Sequence, residues 1–112
     1  MDNSTVEKRK YKRYNVTDFI VAMCSNKLGR VVNISENSIA IRLYGEDLTS
    51  LPEACTTSLL TVAKGFLIEG LPLKIVRKEG IPNTPIGTVA AKFNTSEVAQ
   101  LGIIKQYISG LS

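Results

Sequence analysis

The sequence predicts a mainly β fold, namely a small antiparallel β-barrel with an α-helix at its C-terminal end. Three observations favour this fold: several short runs of apolar and β-branched residues, turn-forming residues between those runs, and a helical spacing of apolar residues that begins only near the end. The chain of 112 residues is short enough to form one domain. Many short strands followed by one helix are typical of a barrel whose open side the helix covers.

The first three predicted strands lie in the first 45 residues. DFIVAMCS (18–25) is apolar on both faces, and GRVVNIS (29–35) continues in β-branched residues. Turn-forming residues at 26–29 predict that these two strands form a hairpin. In SIAIRLYG (38–45), large aliphatic side chains alternate with small or charged ones, which predicts a half-buried strand. Its expected inward side chains are Ile39, Ile41 and Leu43.

The remaining strands are predicted from the middle of the chain. Residues 46–63 predict a loop and then a strand. FLIEG (66–70), LPLKIVRK (71–78) and IGTVAAKF (86–93) predict three more strands. A glycine and a proline separate the first two of these, and the turn-rich GIPNTPIG separates the last two.

The last segment of the chain predicts an amphipathic helix of about three to four turns. Asn94 is the expected N-cap, with Glu97 three residues later as in a capping box. Gly102 weakens this helix by about 1 kcal/mol relative to alanine. The apolar residues at helical spacing are Val98, Leu101, Ile104, Ile108 and Leu111.

Positive charge is concentrated at the N-terminus. Five cations against Asp2 and Glu7 give residues 1–14 a charge of +3, out of a formal total of +4. A general nucleic-acid binder spreads Lys and Arg over one face of its fold, so this local charge favours a small anion over nucleic acid. We expect a flexible basic segment at residues 1–14 and a globular domain at residues 15–112. The five cations are Lys8, Arg9, Lys10, Lys12 and Arg13.

Several functional classes have little support in the sequence. The chain has no histidine, and its two cysteines, Cys24 and Cys55, lie outside any CxxC spacing, which argues against a zinc site. The acidic residues after position 14 are scattered, which argues against catalysis by paired carboxylates. No apolar run approaches the roughly 18 residues of a membrane span. We therefore expect a cytoplasmic binding module with reduced cysteines, no membrane insertion and no enzymatic activity.

Two short motifs stand out. The first is RxxxR, from Arg9 to Arg13, immediately before the first predicted strand. The second is an NxSxx turn between the second and third strands, at residues 33–38, NISENS. Together they resemble the PilZ domain, the bacterial receptor module for cyclic di-GMP, whose marks are RxxxR and, some twenty residues later, [DN]xSxxG. The resemblance covers residues 7–107 and implies a six-stranded barrel that ends in a phenylalanine and then a helix.

The resemblance implies a ligand and a set of site residues. It assigns Arg9 and Arg13 to gripping cyclic di-GMP, with Lys10 where many relatives have a further arginine, and it assigns Asn33 and Ser35 to a guanine edge. These residue types suit that ligand, because an arginine fork makes paired hydrogen bonds to phosphate oxygens or to guanine O6 and N7. An asparagine amide and a serine hydroxyl can each donate and accept. No cofactor other than this ligand is implied.

Ser38 departs from the family pattern, which has glycine at this position. Glycine there suggests a left-handed backbone or a close approach to the ligand. A serine forced into left-handed geometry costs about 1–2 kcal/mol, unless Asn37 takes the strained position instead. We therefore count Ser38 among the ligand-binding residues, and we expect weakened nucleotide binding that Ser38→Gly would tighten.

Three functional hypotheses follow. In the first, the chain is a cyclic di-GMP receptor that signals to an unidentified effector protein when its N-terminal segment becomes ordered. In the second, it is a diverged domain of the same fold that acts as a protein adaptor without nucleotide. In the third, it binds single-stranded nucleic acid weakly.

Simpler structural roles remain open for individual residues. Asn33 and Ser35 can be turn residues that bond their own backbone. Tyr11 and Tyr14 can stack on a base, although packing at the barrel rim is favoured. Arg42 can approach the ligand or only keep an exposed strand soluble, and it is not counted as a site residue.

Overall fold

The computed structural model describes residues 12–16, 20–24, 27–44, 51–61 and 66–110. This part of the chain forms seven strands and one helix. The elements are β1 Tyr14–Asn15, β2 Val21–Cys24, β3 Lys27–Ile34, β4 Ser38–Tyr44, β5 Ala54–Thr61, β6 Phe66–Gly80, β7 Ile86–Phe93 and α1 Val98–Ser109.

Six of the strands close into an antiparallel barrel. Their order is β3-β2-β5-β6-β7-β4, and β4 pairs back with β3 to complete the ring. The two-residue strand β1 pairs with the last two residues of β3, beyond the part of β3 that pairs with β2. The predicted fold, a six-stranded antiparallel barrel with a C-terminal helix, is therefore confirmed.

The barrel interior is filled by aliphatic side chains that alternate along each strand. Ile39, Ile41 and Leu43 of β4 are buried as predicted, since every second residue of a strand faces the same side. The helix α1 buries Ile104 and Ile108, also as predicted, together with Tyr107. No helix within the described residues has the length and apolar character needed to cross a membrane.

Two strand predictions need correction. The β2–β3 hairpin exists, but Cys24 pairs with Lys27, so residues 27 and 29 belong to β3 and not to the turn. The two strands predicted at 66–70 and 71–78 form one continuous strand. Gly70 lies in this strand with a positive φ of 64°, and the pairing with β5 shifts register nearby. A left-handed glycine and a register shift allow a strand to bend without leaving its partner.

The predicted start of the helix is also wrong. The helix begins at Val98, its N-cap is Glu97, and no side chain caps it. Glu97 has an extended backbone, with φ −69° and ψ 117°, so the chain is not helical before Val98. The backbone N–H of Asn94 donates to the carbonyl oxygen of Pro72 at 2.9 Å, which ties this residue to β6. Val98 is 83% exposed, so its predicted place on the buried face is wrong.

The two cysteines are free thiols, as predicted. Cys24 is buried and Cys55 is half-buried. Burial raises the pKa of the Cys24 thiol from 9.0 to about 11, and burial also raises the pKa of Cys55. Because the thiolate is the reactive form, both groups are poor nucleophiles at neutral pH.

Candidate ligand-binding groove

The outer face of the barrel carries a groove of about 240 Å³. It runs across β3, β4, β7 and β6, beside the chain that enters β1. Its charged side chains are Arg13, Arg77, Glu79 and Lys92, and the amides and hydroxyls are those of Asn33, Asn37, Ser38 and Thr88.

The strand register explains why a groove forms at this place. Ser38 pairs with Lys92, and two residues further along the same strands Ala40 pairs with Ala90. Side chains two apart on a strand share a face, so all four belong to the outer surface of the barrel. The two alanines are the smallest side chains of this set. They form a low apolar floor, and the longer side chains around them form its walls.

A β-bulge places Arg77 in the wall of the groove. Leu71, Leu73 and Ile75 alternate into the core of the barrel, so regular alternation would also turn Arg77 inwards. The β6–β7 register shifts between Ile75 and Arg77, and Val76 and Arg77 are both exposed. Bulges redirect a side chain in this way, and here the bulge puts a guanidinium on the outer face.

The turn of the second motif is held by the Ser35 hydroxyl. Ser35 is 1% exposed. Its Oγ accepts from the backbone N–H of Ser38 at 3.0 Å and of Asn37 at 3.3 Å, and it donates to Asn37 Oδ1 at 2.8 Å. Ser35 does not line the groove. This hydroxyl therefore shapes the turn, and its assignment to a guanine edge stays a prediction.

Ser38 does not carry the expected backbone strain. It begins β4 and pairs with Lys92, and its hydroxyl lies 2.9 Å from the Ser35 Oγ. Among the described non-glycine residues, only Asn83 has a positive φ, of 64°. The expectation that Ser38 or Asn37 adopts left-handed geometry is therefore wrong, because the chain enters an ordinary strand at this point.

Strand β1 brings the end of the first motif to the second. Tyr14 pairs with Ile34 and Asn15 pairs with Asn33, so Arg13 reaches the groove beside Asn33. Tyr14 packs against the core, which confirms the expected role at the barrel rim, and the Lys12 Nζ lies 5.2 Å from its ring centroid.

The structure thus brings together three of the predicted site residues, which are Arg13, Asn33 and Ser38. Arg9 and Lys10 lie outside the described residues, as does most of the segment that was expected to be flexible. Arg42 does not line the groove.

The groove contains cations that the sequence analysis missed. Arg77 and Lys92 join Arg13, and the Arg77 Nε lies 3.4 Å from Glu79 Oε1. Three cations and one carboxylate leave a charge of +2 on the described lining, which suits a doubly charged anion. One sequence signal points to Arg77. Leu71, Leu73 and Ile75 alternate into the core, so the next inward position falls on a charged residue, and this mismatch indicates a bulge.

Comparisons with known proteins give matches in structure alone. No family model and no curated protein matches the sequence. MrkH of K. pneumonia in complex with c-di-GMP superposes with a TM-score of 0.75 at 15% identity, over 95% of this chain and 53% of that one. The Bacillus subtilis inhibitor of motility, MotI/DgrA, superposes with a TM-score of 0.70 at 15% identity, over 91% of this chain and 49% of that one. The PilZ domain of YcgR from Escherichia coli, with c-di-GMP, superposes with a TM-score of 0.68 at 12% identity, over 94% of this chain and 92% of that one.

These identities are low, so the matches establish a likeness of fold. The chain spans about half the length of the MrkH and MotI/DgrA structures, and nearly the whole of the YcgR domain.

Proposed function

Because this chain has a PilZ-like fold, we propose that it is a receptor that binds cyclic di-GMP in the outer groove of its barrel. One observation carries the proposal: the groove joins the end of the RxxxR motif, at Arg13, to Asn33 and Ser38 of the second motif. The charge of its lining, +2, matches the two singly charged phosphodiesters of the nucleotide.

The chemistry of the lining suits a guanine nucleotide. Arg13 can make paired hydrogen bonds to a phosphate or to guanine O6 and N7, and the Lys92 ammonium can neutralise the second phosphate. The Asn33 amide can both donate to and accept from a base edge. Base stacking on the apolar floor at Ala40 and Ala90 would bury the planar face of a guanine.

The size of the groove supports a role for the N-terminal segment. Its 240 Å³ is below the roughly 300–1,000 Å³ of pockets that enclose drug-sized ligands, so a cyclic dinucleotide would extend beyond it. We infer that residues 1–11 close over the bound nucleotide, with Arg9 and Lys10 supplying further contacts. The surface changed by this ordering is then available to an effector protein.

Titration calorimetry with cyclic di-GMP tests the proposal. Arg13→Ala, and likewise Arg9→Ala, should weaken binding by about 10- to 100-fold, because a hydrogen bond to a charged group is worth about 1.5–3 kcal/mol. Lys105→Ala is the control for a lost surface cation, since Lys105 is exposed on α1 and lies outside the groove. Full affinity in both Arg9→Ala and Arg13→Ala would contradict the proposal.

A protein adaptor is the second candidate function, and an exposed apolar row favours it. Met23, Leu28 and Tyr44 lie next to one another on β2, β3 and β4, and they are 54%, 50% and 45% exposed. Exposed apolar patches of this kind mark contact surfaces. Absence of binding at millimolar cyclic di-GMP would favour the adaptor. Preference for long oligonucleotides, with affinity that falls steeply with salt, would instead indicate a nucleic-acid binder.

A further inference from the structure

We propose that the ion pair of Arg77 and Glu79 is a base-reading subsite, which recognises one guanine of the nucleotide through its Watson–Crick edge. The inference rests on the proposed function. Both side chains line the groove, they lie 3.4 Å apart between Nε and Oε1, and each is 64% exposed. They are therefore paired with each other and accessible to a ligand.

The position of the pair suits a planar base. The bulge turns Arg77 outwards, and Glu79, two residues later, lies on the same face. Their partners on β7 are Ala90 for Arg77 and Thr88 for Glu79. The pair therefore stands at the side of the alanine floor, where the edge of a base lying on that floor would meet it.

The order of hydrogen-bonding groups is complementary to guanine. The Watson–Crick edge of guanine presents an acceptor, O6, followed by two donors, N1–H and N2–H. A guanidinium beside a carboxylate presents donors followed by two acceptor oxygens, which is the complementary order. Adenine presents an amino donor where guanine has O6, so its edge would place two donors against each other. A site built this way rejects a base that leaves its polar groups unpaired.

The presence of Glu79 in the groove needs a reason of this kind. It is the only carboxylate in the described lining, and a negative charge there opposes the binding of phosphates. An exposed ion pair contributes little to stability, so holding the fold together is a weak explanation. Accepting hydrogen bonds from the N1–H and N2–H of guanine offsets the repulsion and gives the carboxylate a function.

Cyclic di-IMP is a sharp probe, because its hypoxanthine bases lack only the N2 amino group of guanine. Calorimetric titrations of wild type and Glu79→Ala with both nucleotides give the preference for cyclic di-GMP in each protein. We expect this preference to fall by about tenfold or more in Glu79→Ala, as for loss of a hydrogen bond to a charged group. Glu69→Ala is the matched control, since Glu69 is an exposed residue of the same strand outside the groove, and its preference should equal that of wild type.

The ratio of affinities separates base reading from other roles. If Glu79 only positions Arg77, or only repels phosphate, both affinities change by the same factor and the preference stays constant, which would overturn the inference. If wild type binds cyclic di-GMP and Glu79→Ala keeps its preference, base reading alone is refuted. If wild type does not bind cyclic di-GMP, the receptor function itself fails, and base reading fails with it.

Discussion

Replacement of Ser38 by glycine should lower stability, because it relieves no strain. Ser38 begins β4 without a left-handed backbone. The change removes the hydroxyl that lies 2.9 Å from the Ser35 Oγ, and one hydrogen bond contributes about 0.5–1.5 kcal/mol. Glycine in a strand costs about 0.5–1 kcal/mol more through its backbone entropy. We therefore expect the free energy of unfolding to fall by about 1–2.5 kcal/mol.

Urea unfolding measures this loss, and Ser38→Ala is the control at the same position. Alanine removes the hydroxyl but keeps the Cβ, so it should lose only the hydrogen-bond part, about 0.5–1.5 kcal/mol. The backbone N–H groups of Asn37 and Ser38 still donate to Ser35 in both variants, so the turn should survive. A glycine variant as stable as wild type would show that the serine hydroxyl contributes nothing.

The same variant tests the effect on nucleotide affinity. Since no strain is released, Ser38→Gly should bind cyclic di-GMP no more tightly than wild type, contrary to what the family pattern suggests from sequence. Calorimetry decides this. Tightening by about tenfold, equivalent to about 1.4 kcal/mol, would refute the reasoning, because it is the gain that relief of a left-handed serine would produce.

Two further predictions concern the glycines and the buried thiol. A Cβ at Gly29 would lie 2.2 Å from the carbonyl oxygen of Arg42 and 2.8 Å from Leu43 Cδ2, so Gly29→Ala should cost about 1–3 kcal/mol or more in urea unfolding. A Cβ at Gly102 would meet nothing within 4 Å, so Gly102→Ala should raise the free energy of unfolding by about 0.8–1 kcal/mol. If the Gly29→Ala and Gly102→Ala variants were equally stable, the close approach of Gly29 to the Arg42 carbonyl would be contradicted. Because the pKa of Cys24 rises from 9.0 to about 11 on folding, its contribution to stability should be complete below pH 9 and lost as the pH rises to 11. The difference in unfolding free energy between wild type and Cys24→Ala should therefore shrink between pH 9 and pH 11. A constant difference would refute the raised pKa of Cys24.

The sequence predicts those parts of the fold in which local pattern and burial agree. In β4, one side faces the core and the other faces solvent, so the two-residue period appears directly in Ile39, Ile41 and Leu43. A closed barrel is one of the few arrangements in which many antiparallel strands with a single helix can bury their apolar faces.

The parts that the sequence does not predict depend on pairing between distant strands. Gly70 and a proline two residues later are ordinary turn signals, and only the pairing with β5 makes them part of one strand. The helix starts late because the chain is still extended at Glu97, with φ −69° and ψ 117°. Lys92 enters the groove through the register of β7 with β4, and no local pattern encodes register. For Arg77, the local pattern suggests a bulge, but only the pairing of β6 with β7 shows where this bulge places the side chain.

The two motifs of the site contribute in different ways, and this follows from where their backbones are held. Arg13 reaches the groove because Tyr14 and Asn15 pair with the end of β3, so this arginine is positioned by two residues of strand. Ser35 is buried and bonded within its own turn, which sets the separation between Asn33 at the end of β3 and Ser38 at the start of β4. The serine of the second motif thus shapes the groove through the turn, and the groove lining presents the amide of Asn33, the hydroxyl of Ser38 and the cations around them. In the proposed receptor, selectivity for a base would come from Asn33 together with the wall of the groove, where the bulge of β6 has placed the Arg77 guanidinium beside the Glu79 carboxylate.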